Sequence, residues 1–264
     1  MSESTASVRL LSKPWDGPFA RIDAFQVETS EILESVHRGA SLICGFPDMF
    51  RPAIGRQVER GVESQESAER RIEEVEKQAK IADNLIQREF STLRAHLLIG
   101  LWGALEALIF ELVVVFLKEK PQLIKSEQLS KVRVPLNVIA ETDKDLRVAR
   151  MVDESLQQLR INLIAAPGRF EAALDLVGLG GAVSDQLRKN LFETGQARNL
   201  IVHRISIVDR HFAQSCPWLA AQVGTRFEMG TARYTLYAAA IAEYTSLLYE
   251  RVRASVENAS RTTL

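Results

Sequence analysis

Apolar residues recur three and four positions apart along most of this chain, and almost nowhere do they alternate, so the pattern predicts helices. The longest such run lies between Gly61 and Gly100, where no Gly or Pro intervenes. Ile72, Val75, Ala79, Ala82 and Ile86 form one stripe, which Phe90, Leu93 and Leu97 continue in a slightly shifted register. Glu69, Arg70, Arg71, Glu73, Glu74, Glu76, Lys77 and Lys80 fill the gaps between them and mark a solvated face. The spacing predicts one amphipathic, coiled-coil-like helix over about residues 65–119, roughly 80 Å long. A helix of that length cannot bury itself in one small domain, so its first half is expected to meet another subunit.

Residues 96–117 read HLLIGLWGALEALIFELVVVFL. The length suits a membrane span. Glu106 and Glu111 oppose that, because a carboxylate near a bilayer centre is expensive. The stretch is therefore expected to be a helix buried on nearly all sides. Glu106 then needs a partner, and Arg198 is the candidate.

Pro121 ends this helix, and residues 121–142 form a connection around Pro135 and a short apolar run at 132–139. A second helix is expected over 143–163, buried through Leu146, Met151, Leu156 and Leu159. Pro167 starts a short one that carries Phe170, Leu174 and Val177. Gly178, Gly180 and Gly181 stop it, without a preceding strand that would make them a phosphate-binding fingerprint. Ser184 and Asp185 cap a helix running to about Arg204. Ile205, Ile207, Phe227 and Met229 lie in two extended pieces that make either a small hairpin or a loop. Thr231 opens the last helix, with Tyr234, Tyr237, Ile241, Tyr244, Leu248 and Val252 on one stripe. Those tyrosines read as core with wet hydroxyl tips. At the other end, Pro14, Gly17, Pro18, Gly45, Pro47 and Pro52 break up the first 55 residues, where a helix over 22–37 is the one element expected.

Composition changes this picture little. Among the 264 residues, 46% are apolar and 25% charged, and the net charge is −1. That is an ordinary globular profile with no global basic field, so any RNA site must be a local patch. Cys44 and Cys216 fit no zinc spacing, and His37 has no ligating companions. No metal or cofactor is expected. The opening residues carry no apolar signal-peptide core, and a cytoplasmic setting is expected.

The chemistry sits in Arg198-Asn199-Leu200-Ile201-Val202-His203, followed by Arg204. Asn199 and His203 are four apart and share a face. Arg198 lies about 140° round the helix from His203. Leu187, Leu191 and Gly195 lead down the same line to Asn199 and His203, so the line passes from apolar to small to polar. An imidazole titrates near neutrality and suits acid–base work. A guanidinium is a permanent phosphate clamp. Basic residues at a helix C-terminus also complement its dipole, and His203 and Arg204 fit that simpler role.

These residues resemble the motif of the HEPN family (higher eukaryotes and prokaryotes nucleotide-binding), an all-helical group. Its pattern is Arg, a polar residue, three others, then His. The WGALEALIFEL helix with Glu106, the PGRFEAALDLVGL helix and the long C-terminal helix support the resemblance, which covers about residues 85–258. It implies an all-α, HEPN-like bundle over 85–258; outside it, the residue pattern gives an irregular or partly helical segment (1–55), an amphipathic helix that is a candidate dimerisation arm (56–84) and a tail at 259–264. It also implies a metal-independent endoribonuclease, working as a homodimer that brings two motifs into one cleft. His203 would be the general acid or base, Arg198 the phosphate clamp and Asn199 the orienting residue, with Glu106 and Arg204 in support. A toxin or phage-defence role and a regulatory or antitoxin protein belong to the same implication. Two other readings stay open. One is a non-catalytic HEPN-like interaction module. The other is a membrane-associated defence protein that uses residues 96–117.

Overall fold

A computed structural model describes residue 11 and residues 13–161 and 167–262. Among these the protein is all-helical. Its α-helices are α1 (Asp16–Cys44), α2 (Phe46–Glu59), α3 (Gln65–Gln87), α4 (Ser91–Glu119), α5 (Leu136–Ile139), α6 (Lys144–Gln158), α7 (Pro167–Asp175), α8 (Asp185–Arg204), α9 (Arg210–Ser215) and α10 (Thr231–Thr262). The hairpin alternative reduces to one antiparallel bridge, Ile207 to Arg226. The irregular N-terminal stretch is in fact largely α1 and α2, with Pro52 inside α2. The chain forms two compact units, one of residues 1–25, 98–227 and 236–264, the other of 26–97 and 228–235.

In the smaller unit, the expected single helix over 65–119 is broken. Glu89 and Phe90 take left-handed φ values of 50° and 51°, which separate α3 from α4. Neither is Gly, so each pays a conformational cost of about 1–2 kcal/mol. Local bonding and burial offset it. Phe90 N–H bonds to the Leu85 carbonyl at 2.9 Å, and the Phe90 ring is buried with Ala40 and Ala82. The Glu89 carboxylate accepts from the Thr231 N–H at the start of α10, a bond that holds its carboxyl below the usual range. Within this unit α2 and α3 pack together, tied by the ion pair Arg51–Glu76, while Arg71 of α3 pairs with Glu63 in the turn between them (2.7 Å).

The larger unit is built on the apolar part of α4. Leu98, Trp102, Leu105, Ile109, Leu112 and Phe116 are completely enclosed. By length and composition α4 could cross a membrane, but here these side chains make the core. Trp102 packs on Phe170 of α7 (5.3 Å between ring centres), and Phe170 stacks on Tyr244 of α10. Tyr237, Ile241, Tyr244, Leu248 and Val252 of α10 are buried, as their stripe predicts. Gly195 of α8 lies against Trp102, where a Cβ would meet the indole at 3.1 Å, so the small residue allows α4 and α8 to approach. A half-buried polar network joins α7 to α10. Glu171 accepts from the Tyr244 hydroxyl (2.6 Å), the Gly181 N–H and Arg251.

Candidate active site

The candidate residues sit where α8 ends. The helix starts as its sequence predicts, with Ser184 Oγ accepting from the Leu187 N–H at 3.2 Å and Asp185 in the first turn. It stops at two left-handed residues, Ile205 (φ 51°) and Ser206 (φ 63°). A β-branched residue there is a real outlier, and such strain survives only when the surroundings impose it. The surroundings here are the returning chain. Phe227 N–H bonds to the Ser206 carbonyl at 2.7 Å, and Val208 N–H to the Thr225 carbonyl at 2.9 Å. The reversal delivers Asp209, whose carboxylate caps α9 by accepting from the Phe212 N–H at 2.8 Å. Buried Phe212 packs edge-on to Phe227 at 5.0 Å and fixes α9 in place.

Between the end of α8 and the start of α9 lies an open cleft of about 390 Å³. Asn199, His203, Arg204, Asp209 and His211 line its polar side, with Phe212 among its apolar walls. Arg204 Nε donates to Asp209 at 3.1 Å, and the two Nη groups make no protein hydrogen bond among the described residues. The Asp209 carboxyl is held below the usual range, first by the Phe212 N–H, then by Arg204 and the nearby His211. It therefore stays ionised and keeps Arg204 aimed. His203 is exposed and makes no protein hydrogen bond or ion pair among the described residues.

Arg198 does not line the cleft. It turns toward α4, where its charge acts on Glu106. Its Nε is buried without a partner, and its Nη1 donates to Asn199 Oδ1 at 3.2 Å. With that oxygen engaged, the Asn199 amide nitrogen is left as a donor. Glu106 accepts from Trp102 Nε1 at 2.7 Å, one turn back on α4. Burial pushes the Glu106 carboxyl above its ordinary value, and Arg198 and the indole N–H oppose the shift. The sequence-based pairing of Glu106 with Arg198 thus appears as proximity of opposite charges.

No family model, no curated protein and no solved structure matches the chain.

The structure therefore splits the sequence-nominated residues in two. Asn199, His203 and Arg204 come together in the cleft, whereas Arg198 and Glu106 lie outside its lining, near enough for their charges to interact, and Arg198 connects to the cleft through Asn199. Sequence reasoning missed His211 and Asp209. The available signal was Asp209-Arg210-His211-Phe212, an N-cap residue followed three positions later by an apolar anchor. Among the described residues, no three His, Cys, Asp or Glu side chains come together as a metal-binding group.

Proposed function

We propose that the protein is a metal-independent endoribonuclease of HEPN type that cleaves single-stranded RNA by transphosphorylation. The observation that carries this reading is the meeting of His203, Asn199 and Arg204 in one open cleft. An imidazole exchanges the proton at the 2′-oxygen or the leaving oxygen. Arg204, oriented by Asp209, offers its two Nη groups to the phosphate. Asn199 presents its amide nitrogen to the same group. Arg198 is a positioning residue, holding Asn199 while Glu106 balances its charge. Because each chain carries one motif, a homodimer of C2 symmetry would place two clefts in one assembly. Light scattering then gives a mass near twice 29.5 kDa, and a monomer mass contradicts the dimer. A toxin or defence role controlled by an antitoxin-like protein fits such an activity in a cytoplasmic setting.

The test is incubation of the purified protein with end-labelled single-stranded RNA in excess EDTA. Cleavage leaving 2′,3′-cyclic phosphate and 5′-hydroxyl ends supports the reading. Loss of all cleavage in EDTA, restored by a divalent cation, overturns its metal-independent part. A second reading, a non-catalytic interaction module, is favoured by one observation. Arg198 keeps its Nε buried and its charge near Glu106, as a structural arginine would. That reading predicts no cleavage of any RNA.

A further inference from the structure

The cleft holds a second imidazole that the motif does not supply. His211 lies on α9, eight residues beyond His203 and past the strained reversal at Ile205–Ser206. Two features make it more than a surface residue. It lines the same cleft as His203, Asn199 and Arg204. It also lies close enough to the Asp209 carboxylate for its charge to act there, whereas His203 has no carboxylate partner among the described residues.

Transphosphorylation needs two proton transfers at opposite ends of the reacting phosphate. A base removes the 2′-hydroxyl proton as the 2′-oxygen bonds to phosphorus. An acid gives a proton to the 5′-oxygen as its bond to phosphorus breaks. We infer that His211 is the general acid of this cleft, delivering its proton to the 5′-leaving oxygen, and that His203 is the base. The inference rests on the ribonuclease reading above. Asp209 places a carboxylate beside His211 in the cleft, where it complements the positive ring that a general acid carries. Arg204, bridging from α8 to Asp209 in the same cleft, would hold the phosphate for both rings. One proton leaves the 2′-oxygen and one reaches the 5′-oxygen. No electrons are transferred, and exchange with water resets the rings. A single chain then carries both proton-transfer groups, and dimerisation is not needed to supply the second.

The test compares two RNA substrates of one sequence, one with an ordinary 5′-oxygen at the scissile bond and one with a bridging 5′-sulfur. Thiolate leaves without a proton, so the acid becomes dispensable. His211→Gln is expected to lose about 10²–10⁴-fold on the oxygen substrate and to cut the sulfur substrate near the wild-type rate. His203→Gln is expected to lose activity on both. Because His211 is exposed, melting curves of wild type and His211→Gln should coincide. Wild-type rates from His211→Gln on oxygen RNA, or equal losses on both substrates, overturn the acid role and leave the ribonuclease reading standing. Wild-type protein that cuts neither substrate overturns both.

Discussion

The last two turns of α8 present two faces of opposite character. On the core side, Arg198 is tucked toward Glu106, which is itself held by the indole of Trp102. Its Nε is sealed from solvent, and the neighbouring carboxyl is pushed up by burial. On the cleft side, His203, Arg204 and His211 face open space, and Asp209 is held down by a backbone N–H. The same short motif thus supplies both a dry support and a wet site. Only the wet side can reach a polymer as large as RNA. The dry side can set the angle at which the wet side is presented, because Asn199 bonds to Arg198 and lines the cleft. A motif residue can therefore matter for activity without touching substrate.

Attacking the dry support should have the largest effect on stability. Trp102 is fully buried, so Trp102→Ala should cost about 3–5 kcal/mol, read as a lowered melting temperature. A change within measurement error would show that α4 and α8 are not locked through this indole. Arg198→Ala should come next. It removes the charge that offsets the burial of Glu106 and frees Asn199, and should cost about 1–3 kcal/mol in denaturant titration. If stability is untouched and only cleavage falls, Arg198 belongs to the wet side after all.

Changes in the cleft should leave melting nearly unchanged. Arg204→Ala should raise KM for RNA about tenfold, the worth of one charge-assisted bond to phosphate. An equal loss in kcat with KM constant would move Arg204 from binding to transition-state stabilisation. The smallest effect belongs to Asp209→Asn, since its partner Arg204 is exposed and such surface pairs contribute below about 1 kcal/mol. The folded carboxyl of Asp209 lies below its unfolded value of about 3.9. The stability it contributes is therefore present above that value and lost as pH falls through the folded one. The difference between wild type and Asp209→Asn should shrink as pH falls below about 4, the side of the unfolded value on which the carboxylate is protonated. A difference that holds constant into strong acid would contradict the lowered carboxyl.

The parts of the fold legible in the sequence are those governed by local signals. Ser184 and Asp185 start α8, Pro167 starts α7, Pro121 follows the end of α4, and Thr231 opens α10. The α10 stripe identified its buried face, and Gly195 in the apolar line marked the close approach of Trp102. What escaped notice are the places where tertiary contacts override propensity. Glu89 and Phe90 carry no turn signature, so α3 and α4 looked continuous. Ile205 and Ser206 likewise hide the reversal that brings His211 opposite the end of α8, and helical periodicity cannot be followed across such a turn. Arg198 was separable from His203 by angle alone, about 140° apart on an ideal helix. Which of the two faced the core depended on Trp102 and Glu106, residues nearly a hundred positions away.

The central claim is that the wet face of α8 cuts RNA, and the most direct measurement is the initial rate of cleavage of one labelled RNA in EDTA by wild type and His203→Ala. Melting curves of the same preparations complete it. A rate lower by about 10²–10⁴-fold in the variant is expected, with an unchanged melting temperature, because His203 is exposed and makes no hydrogen bond or ion pair among the described residues. Equal cleavage by the two proteins, or none by either at high purity, contradicts it.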